Sequence, residues 1–151
     1  MRIIEILPPN PVLCTADTHL QEVAQTMTQN KLFYIPVVES LIHKNPIGVV
    51  TERSICRRSI AEGLNPLKLT AGRVMNSNYK IVSPSASLEN CYRMMESCNV
   101  RYLVVADENN VCRGIATFDE VYKKINKQES FFPLNELASY REQFPNVDRI
   151  F

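Results

Sequence analysis

The chain has little of what marks an enzyme, a metal protein or a membrane protein. Its 151 residues contain four glycines and two histidines. So few glycines leave no glycine-rich loop to cradle a phosphate, and no nucleophile–base pair or carboxylate dyad stands out, so no catalytic activity is expected. His19 and His43 sit in unrelated contexts, and the five cysteines, Cys14, Cys56, Cys91, Cys98 and Cys112, form no CxxC pair. A zinc site needs clustered ligands, so neither a metal nor a required cofactor is expected. The formal net charge is +1, which leaves no basic excess to hold a nucleic-acid backbone. No long apolar run is present, so no membrane-spanning helix is expected. Residues 1–7 include Glu5 and are too short for a signal-peptide core. An odd cysteine count without a secretion signal points to the reducing cytoplasm and free thiols. Cys91 and Cys98 fit one helix face, but their Cα atoms would lie roughly 10.5 Å apart at the helical rise. A disulfide needs about 7 Å or less, so the cysteines read as small core fillers.

What is present is ordinary folded-protein material, arranged twice. Hydrophobic residues make up 45% and charged residues 22%, enough for one compact domain or two very small ones. Leu20, Val23, Ala24 and Met27 follow the i, i+3, i+4, i+7 spacing of a helix that buries one face. Leu88, Cys91, Tyr92 and Met95 repeat it 68 positions later. At the same offset Tyr34-Ile35-Pro36-Val37-Val38 aligns with Tyr102-Leu103-Val104-Val105-Ala106. Gly48-Val49-Val50-Thr51 aligns with Gly114-Ile115-Ala116-Thr117 at 66. The two lost residues fall in the polar stretch 39–46, where a duplicated unit tolerates a change of length.

Each copy reads as β-α-β-β-α, so the fold class is α/β with two tandem units. A short strand (12–15 or 80–83) leads into a helix (18–29 or 86–97). Thr18 with Gln21 has the form of a capping box, and Ser85 or Ser87 can cap the second helix. Two β-branched runs then form adjacent antiparallel strands, and a second helix starts just after Thr51 or Thr117. The expected domains are residues 1–63, a linker at 64–73 marked by Asn65-Pro66 and Gly72, residues 74–126, and a C-terminal extension at 127–151. Pro133, Asn135, Leu134, Leu137, Ala138 and Arg141 suggest one more helix in that extension.

These landmarks resemble a tandem pair of CBS domains, the cystathionine-β-synthase-type regulatory module, from about Ile3 to Ile125. They are Pro11-Val12 before the first helix, the Tyr34 and Ile47-Gly48-Val49-Val50-Thr51-Glu52-Arg53 segments, Val74-Met75-Asn76, Ile81-Val82-Ser83-Pro84, and Gly114-Ile115-Ala116-Thr117. The resemblance implies two units about a pseudo-twofold axis with clefts between them, adenine nucleotides (AMP, ADP or ATP) or other adenosyl ligands in those clefts, and a homodimer built through helices. It also implies a motif of Gly, two apolar residues, Thr or Ser, two variable residues and Asp, whose hydroxyl and carboxylate hold phosphate and ribose. Here Thr51 is followed by Ser54 at the carboxylate position, and Thr117 by Glu120.

The candidate site residues are Thr51, Arg53, Ser54, Leu13, Tyr34, Ile35 and Pro36 on one side, and Thr117, Glu120 and Tyr102 on the other. A strand that ends at Thr and enters a helix aims unpaired N–H groups at one cleft, which favours an anion. Thr117 and Glu120 fit a capping box, ribose binding, or both, and Thr51 fits a plain cap as well. Arg53 opposes the helix dipole, so a bound phosphate would offset its repulsion; a salt bridge to Glu52 or Glu62, or simple solvation, would do the same. Tyr34 and Tyr102 fit base stacking or core packing. The expectation is that a phosphorylated ligand uses the Thr51 side, with Arg53 on the phosphate and Leu13, Ile35 and Pro36 around the base. The Thr117 side, with Asp119 and Glu120, is expected to repel phosphate and to stay empty or hold a neutral adenosyl group. Ile55, Ile60, Val121, Tyr122 and Ile125 on the second helices supply apolar surface for a homodimer. The functional expectation is a ligand-sensing regulatory module, passing occupancy to an effector domain or partner. The alternative is an interaction or dimerisation module with a degenerate pocket.

Overall fold

The computed structural model describes residues 1–128; the extension helix expected around Pro133 and Asn135 lies outside the described residues. Two three-stranded sheets carry the molecule. The first runs β1 (Cys14–Thr15), β2 (Tyr34–Val38), β3 (Pro46–Thr51), with α1 (Leu20–Asn30) between β1 and β2 and α2 (Glu52–Arg58) after β3. After α3 (Ala71–Val74), the second runs β4 (Ile81–Val82), β5 (Tyr102–Ala106), β6 (Cys112–Thr117), with α4 (Leu88–Cys98) and α5 (Phe118–Gln128) in the corresponding places. In each sheet the short first strand pairs parallel and the hairpin antiparallel, with a register shift at Val37/Val38 and again at Val105/Ala106. The fold is thus a mixed α/β architecture of two β-α-β-β-α units, as the repeat implied.

The strands are mostly apolar because both sheet faces are covered, with Arg113 on β6 an exposed exception. Ile35, Val37 and Val50 face α1 with Leu20, Val23 and Met27. Leu103, Val105 and Ala116 face α4 with Leu88, Cys91 and Met95. The opposite faces meet: Val38, Val49, Val104 and Cys112 form a third core between the sheets, with Tyr34 and Tyr102 packed on it. Their rings touch with centroids 4.7 Å apart and planes tilted by 39°.

The units also exchange their opening segments. Fully buried Ile3 belongs to the second unit's core, and fully buried Ala71 and Val74 to the first unit's core. The hydrogen bonds repeat pairwise: Ile3 N–H donates to Ala86 O and Ala71 N–H to Thr18 O, both at 2.8 Å. Within the stretch read as a linker, Leu20 N–H donates to Leu69 O and His19 bridges Thr70. The symmetry extends to two glycines. A Cβ on Gly48 would meet Met75 Sδ at 2.5 Å, and Leu7, the twofold counterpart of Met75, lies against Gly114.

Two expectations need correction, and one alternative is resolved. The Thr18–Gln21 capping box does not form: α1 begins at Leu20 with His19 as its cap residue, and the Thr18 hydroxyl accepts from Thr15 N–H at 3.1 Å instead. The second helix is capped by Ser87, whose hydroxyl accepts from Asn90 N–H at 3.2 Å. Not all cysteines fill the core: Cys14, Cys91 and Cys112 are buried, but Cys56 and Cys98 are exposed. Cys98 is the last residue of α4, past the edge of the core that Cys91 enters.

Candidate ligand-binding cleft

Thr51 ends β3, and its extended backbone makes it the cap of α2. Ser54 N–H donates to Thr51 Oγ1 at 2.8 Å, and Thr51 N–H donates to Ser54 Oγ at 2.9 Å. Ser54 Oγ in turn donates to Thr51 O at 3.0 Å. Ser54 spends its only proton inside this closed box, whereas the Thr51 hydroxyl accepts one bond and, among the described residues, gives its own proton to no acceptor. Thr117 differs. Its Oγ1 donates to Glu120 Oε2 at 2.8 Å, its N–H donates to the same oxygen at 3.1 Å, and it accepts from Glu120 N–H at 3.3 Å. The Thr117 proton is consumed, and the carboxylate folds back onto its own helix start.

A cavity of about 460 Å³ opens in front of Thr51. One wall is Thr51, Glu52 and Arg53; the other comes from the second unit, from Asn76, Asn78, Tyr79 and Lys80 ahead of β4 and from residues 99–102 entering β5. Arg53, Lys80 and Arg101 outnumber Glu52, so the cavity is cationic. Glu62 is paired with Arg73 at 3.4 Å, so the suggested Arg53–Glu62 bridge is not made. The Tyr102 hydroxyl accepts from Asn76 Nδ2 at 3.2 Å. Burial raises the Tyr102 phenol above its ordinary value while the Asn76 bond opposes the rise; burial likewise raises Tyr34. Both rings therefore face the cleft uncharged at neutral pH.

The twofold-related cavity, about 280 Å³, holds Thr117, Asp119 and Glu120. Lys31, Arg101 and Lys123 line it too, so the anionic character expected from Asp119 and Glu120 is offset by three cations. Arg101 lies over the Phe118 ring at 4.4 Å and lines both cavities.

The structure brings Thr51, Arg53, Tyr34 and Tyr102 together around the larger cavity, with Ser54 buried behind Thr51. It does not bring Leu13, Ile35 and Pro36 there. Ile35 is buried in the first core, Pro36 O accepts from Cys14 Sγ, and Leu13 packs between the sheets. The opposite wall comes from the other unit, and sequence reading missed Asn76, Lys80, Val100 and Arg101 by taking both walls from one copy. The offset was the available signal: Arg101 is the counterpart of Phe33, and Lys80 of Val12.

The model of the CBS domain matches residues 3–61 and 71–127. The chain belongs to the CBS domain family. The CBS domain-containing protein YhcV of Bacillus subtilis is 28% identical over 119 residues, covering 79% of this chain and 82% of that protein. Among solved structures, the CBS domain protein PAE2072 from Pyrobaculum aerophilum, complexed with AMP, is 26% identical with a TM-score of 0.69, covering 80% of this chain and 89% of that one. The CBS domain pair of protein MJ0100, in complex with 5′-methylthioadenosine and S-adenosyl-L-methionine, has a TM-score of 0.73 at 18% identity, covering 85% and 98%. The larger cavity is therefore an inter-unit cleft of a CBS pair, one wall from each CBS unit.

Proposed function

We propose that this CBS pair is a ligand-sensing regulatory module that binds an adenosine-type nucleotide in the cleft headed by Thr51. The observation that carries the reading is the cavity itself: about 460 Å³, aromatic at Tyr34 and Tyr102, cationic at Arg53, Lys80 and Arg101, and within the roughly 300–1,000 Å³ usual for small-molecule sites. The base packs by Tyr102 and Val100, and the phosphate meets Arg53 and the free Thr51 proton. The AMP complex of PAE2072 supports the ligand class. Because the walls come from different units, a ligand that binds one relative orientation better shifts the population toward it. That shift is the signal passed to an effector domain or partner. Exposed Tyr122 on α5 and exposed Ile60 in the short 3-10 turn after α2 support a twofold homodimer. The module acts in the cytoplasm, without catalysis, metal or required cofactor.

A thermal-shift screen of AMP, ADP, ATP, 5′-methylthioadenosine and S-adenosyl-L-methionine tests the reading. A ligand that binds only the folded chain raises Tm with concentration. At least one phosphorylated adenosine compound should do so, and no shift with any would overturn the proposal. One observation favours the alternative of an interaction module with a degenerate pocket: both motif positions, Ser54 and Glu120, close on their own caps.

A further inference from the structure

Beside the cleft lies a second cavity of about 330 Å³, lined by Thr51, Arg53, Ser54, Arg57, Arg58 and Asn76. Thr51, Arg53 and Asn76 line both cavities, so the two spaces meet across these three side chains. Among the described residues, no carboxylate lines the second one. Glu62 is engaged with Arg73, and among the described residues neither Arg53 nor Arg57 has an ion-pair partner. Arg58 is held in place by its Nη1 bond to Met75 O at 2.8 Å. Arg53 and Arg57, four apart on α2, share a face, and like charges at that spacing repel. Three guanidinium groups around a space with no counter-charge among the described residues are complementary to a multiply charged anion, and guanidinium grips phosphate in a bidentate manner. Buried Ser54 is small and neutral, so it neither fills that space nor repels the anion.

The twofold-related positions in the second unit are Asp119, Glu120, Lys123 and Lys124, two acidic residues followed by two basic ones. The arginine cavity is a feature of the first unit alone.

We infer that the ligand carries a second phosphate, which reaches from the Thr51–Arg53 cleft into the cavity of Arg57 and Arg58. This rests on the reading of the cleft as a nucleotide site. The shared chemistry is a polyanionic nucleotide; the extra phosphate sits either along a 5′ chain or on the ribose.

Calorimetry with AMP, ATP, adenosine 2′,5′-bisphosphate and inorganic tripolyphosphate tests it, on the wild type, Arg57→Ala and a charge control, Arg93→Ala, whose exposed side chain lines neither cavity. ATP or the bisphosphate should bind about tenfold or more tightly than AMP, as hydrogen bonds to charged groups imply. Arg57→Ala should bring that ratio close to one, and Arg93→Ala should preserve it. Whichever of ATP and the bisphosphate gains affinity identifies where the phosphate is carried. Equal affinities for AMP, ATP and the bisphosphate would overturn the inference and leave the nucleotide reading standing. Tripolyphosphate binding that Arg57→Ala removes, with no binding of AMP, would overturn the nucleotide reading and keep the arginine site. An ATP preference that survives Arg57→Ala would also overturn the inference.

Discussion

The two CBS units share a backbone and differ in the side chains that face the clefts. Twofold-related residues repeat their hydrogen bonds, their left-handed helix ends at Lys31 and Asn99, and their strand register shifts. The differences collect at the ligand-facing helix starts: Glu52-Arg53-Ser54 against Phe118-Asp119-Glu120. One more difference lies in the backbone. Val49 and Asn76 exchange hydrogen bonds at 2.9 and 2.8 Å. The counterpart of Asn76 is Pro8, which has no N–H to give. Packing thus holds the frame symmetric, and where packing does not decide, the sequences have diverged to make one cleft cationic with a free hydroxyl and the other self-closed.

The largest effects should come from breaking the segment exchange. Ile3→Ala leaves a void in the second core, while the mirrored position is already Ala71. A loss of about 2–5 kcal/mol is expected by urea unfolding; a loss near zero would mean that Ile3 does not pack as described. Next come the two glycines, which resist a side chain for different reasons. Gly48→Ala drives a methyl group into Met75 and should cost about 1–3 kcal/mol from overpacking. Met75→Ala in the same chain should recover part of it. Gly114 has φ +135°, so Gly114→Ala should cost about 1–3 kcal/mol from backbone strain, which Leu7→Ala does not relieve. A double-mutant cycle separates the two cases.

The smallest effects concern the thiols. Burial pushes Cys14 from the ordinary 9.0 up to about 12, and burial also raises Cys91 and Cys112. The thiolate is the nucleophile, so alkylation of the native chain at pH 8 should modify exposed Cys56 and Cys98 first. Intact mass should show two additions before the other three. The same shift sets a sign for stability. The folded state holds the Cys14 proton more tightly than the unfolded chain. Its contribution is therefore complete below the ordinary thiol value and is lost as pH rises from there toward about 12.

Much of this frame was legible in the sequence. Both hairpin runs, Tyr34–Val38 and Tyr102–Ala106, fall where the 68-residue offset put them, because strands covered on both faces leave an apolar signature that duplication preserves. The segment exchange was not legible: Ile3 and Ala71 are apolar positions without periodicity, and nothing local says whose core they enter. The failed cap at Thr18 has the same origin, since His19 pairs with Thr70 far along the chain, and long-range pairing overrides a local motif. For the site, the motif residues were legible as caps: the Thr117–Glu120 box formed, and Thr51, read as a plain cap, closes a box with Ser54. The opposite wall was not, because it depends on how the units dock.

The most direct test of the central claim, that the cleft at Thr51 rather than the one at Thr117 takes the phosphorylated ligand, is calorimetry of the tightest-binding adenine nucleotide on Arg53→Ala and Thr117→Ala. Arg53→Ala should weaken binding by about 1.5–3 kcal/mol, the range for a hydrogen bond to a charged group, and Thr117→Ala should leave it nearly unchanged. If Thr117→Ala abolishes binding while Arg53→Ala does not affect it, the account is contradicted.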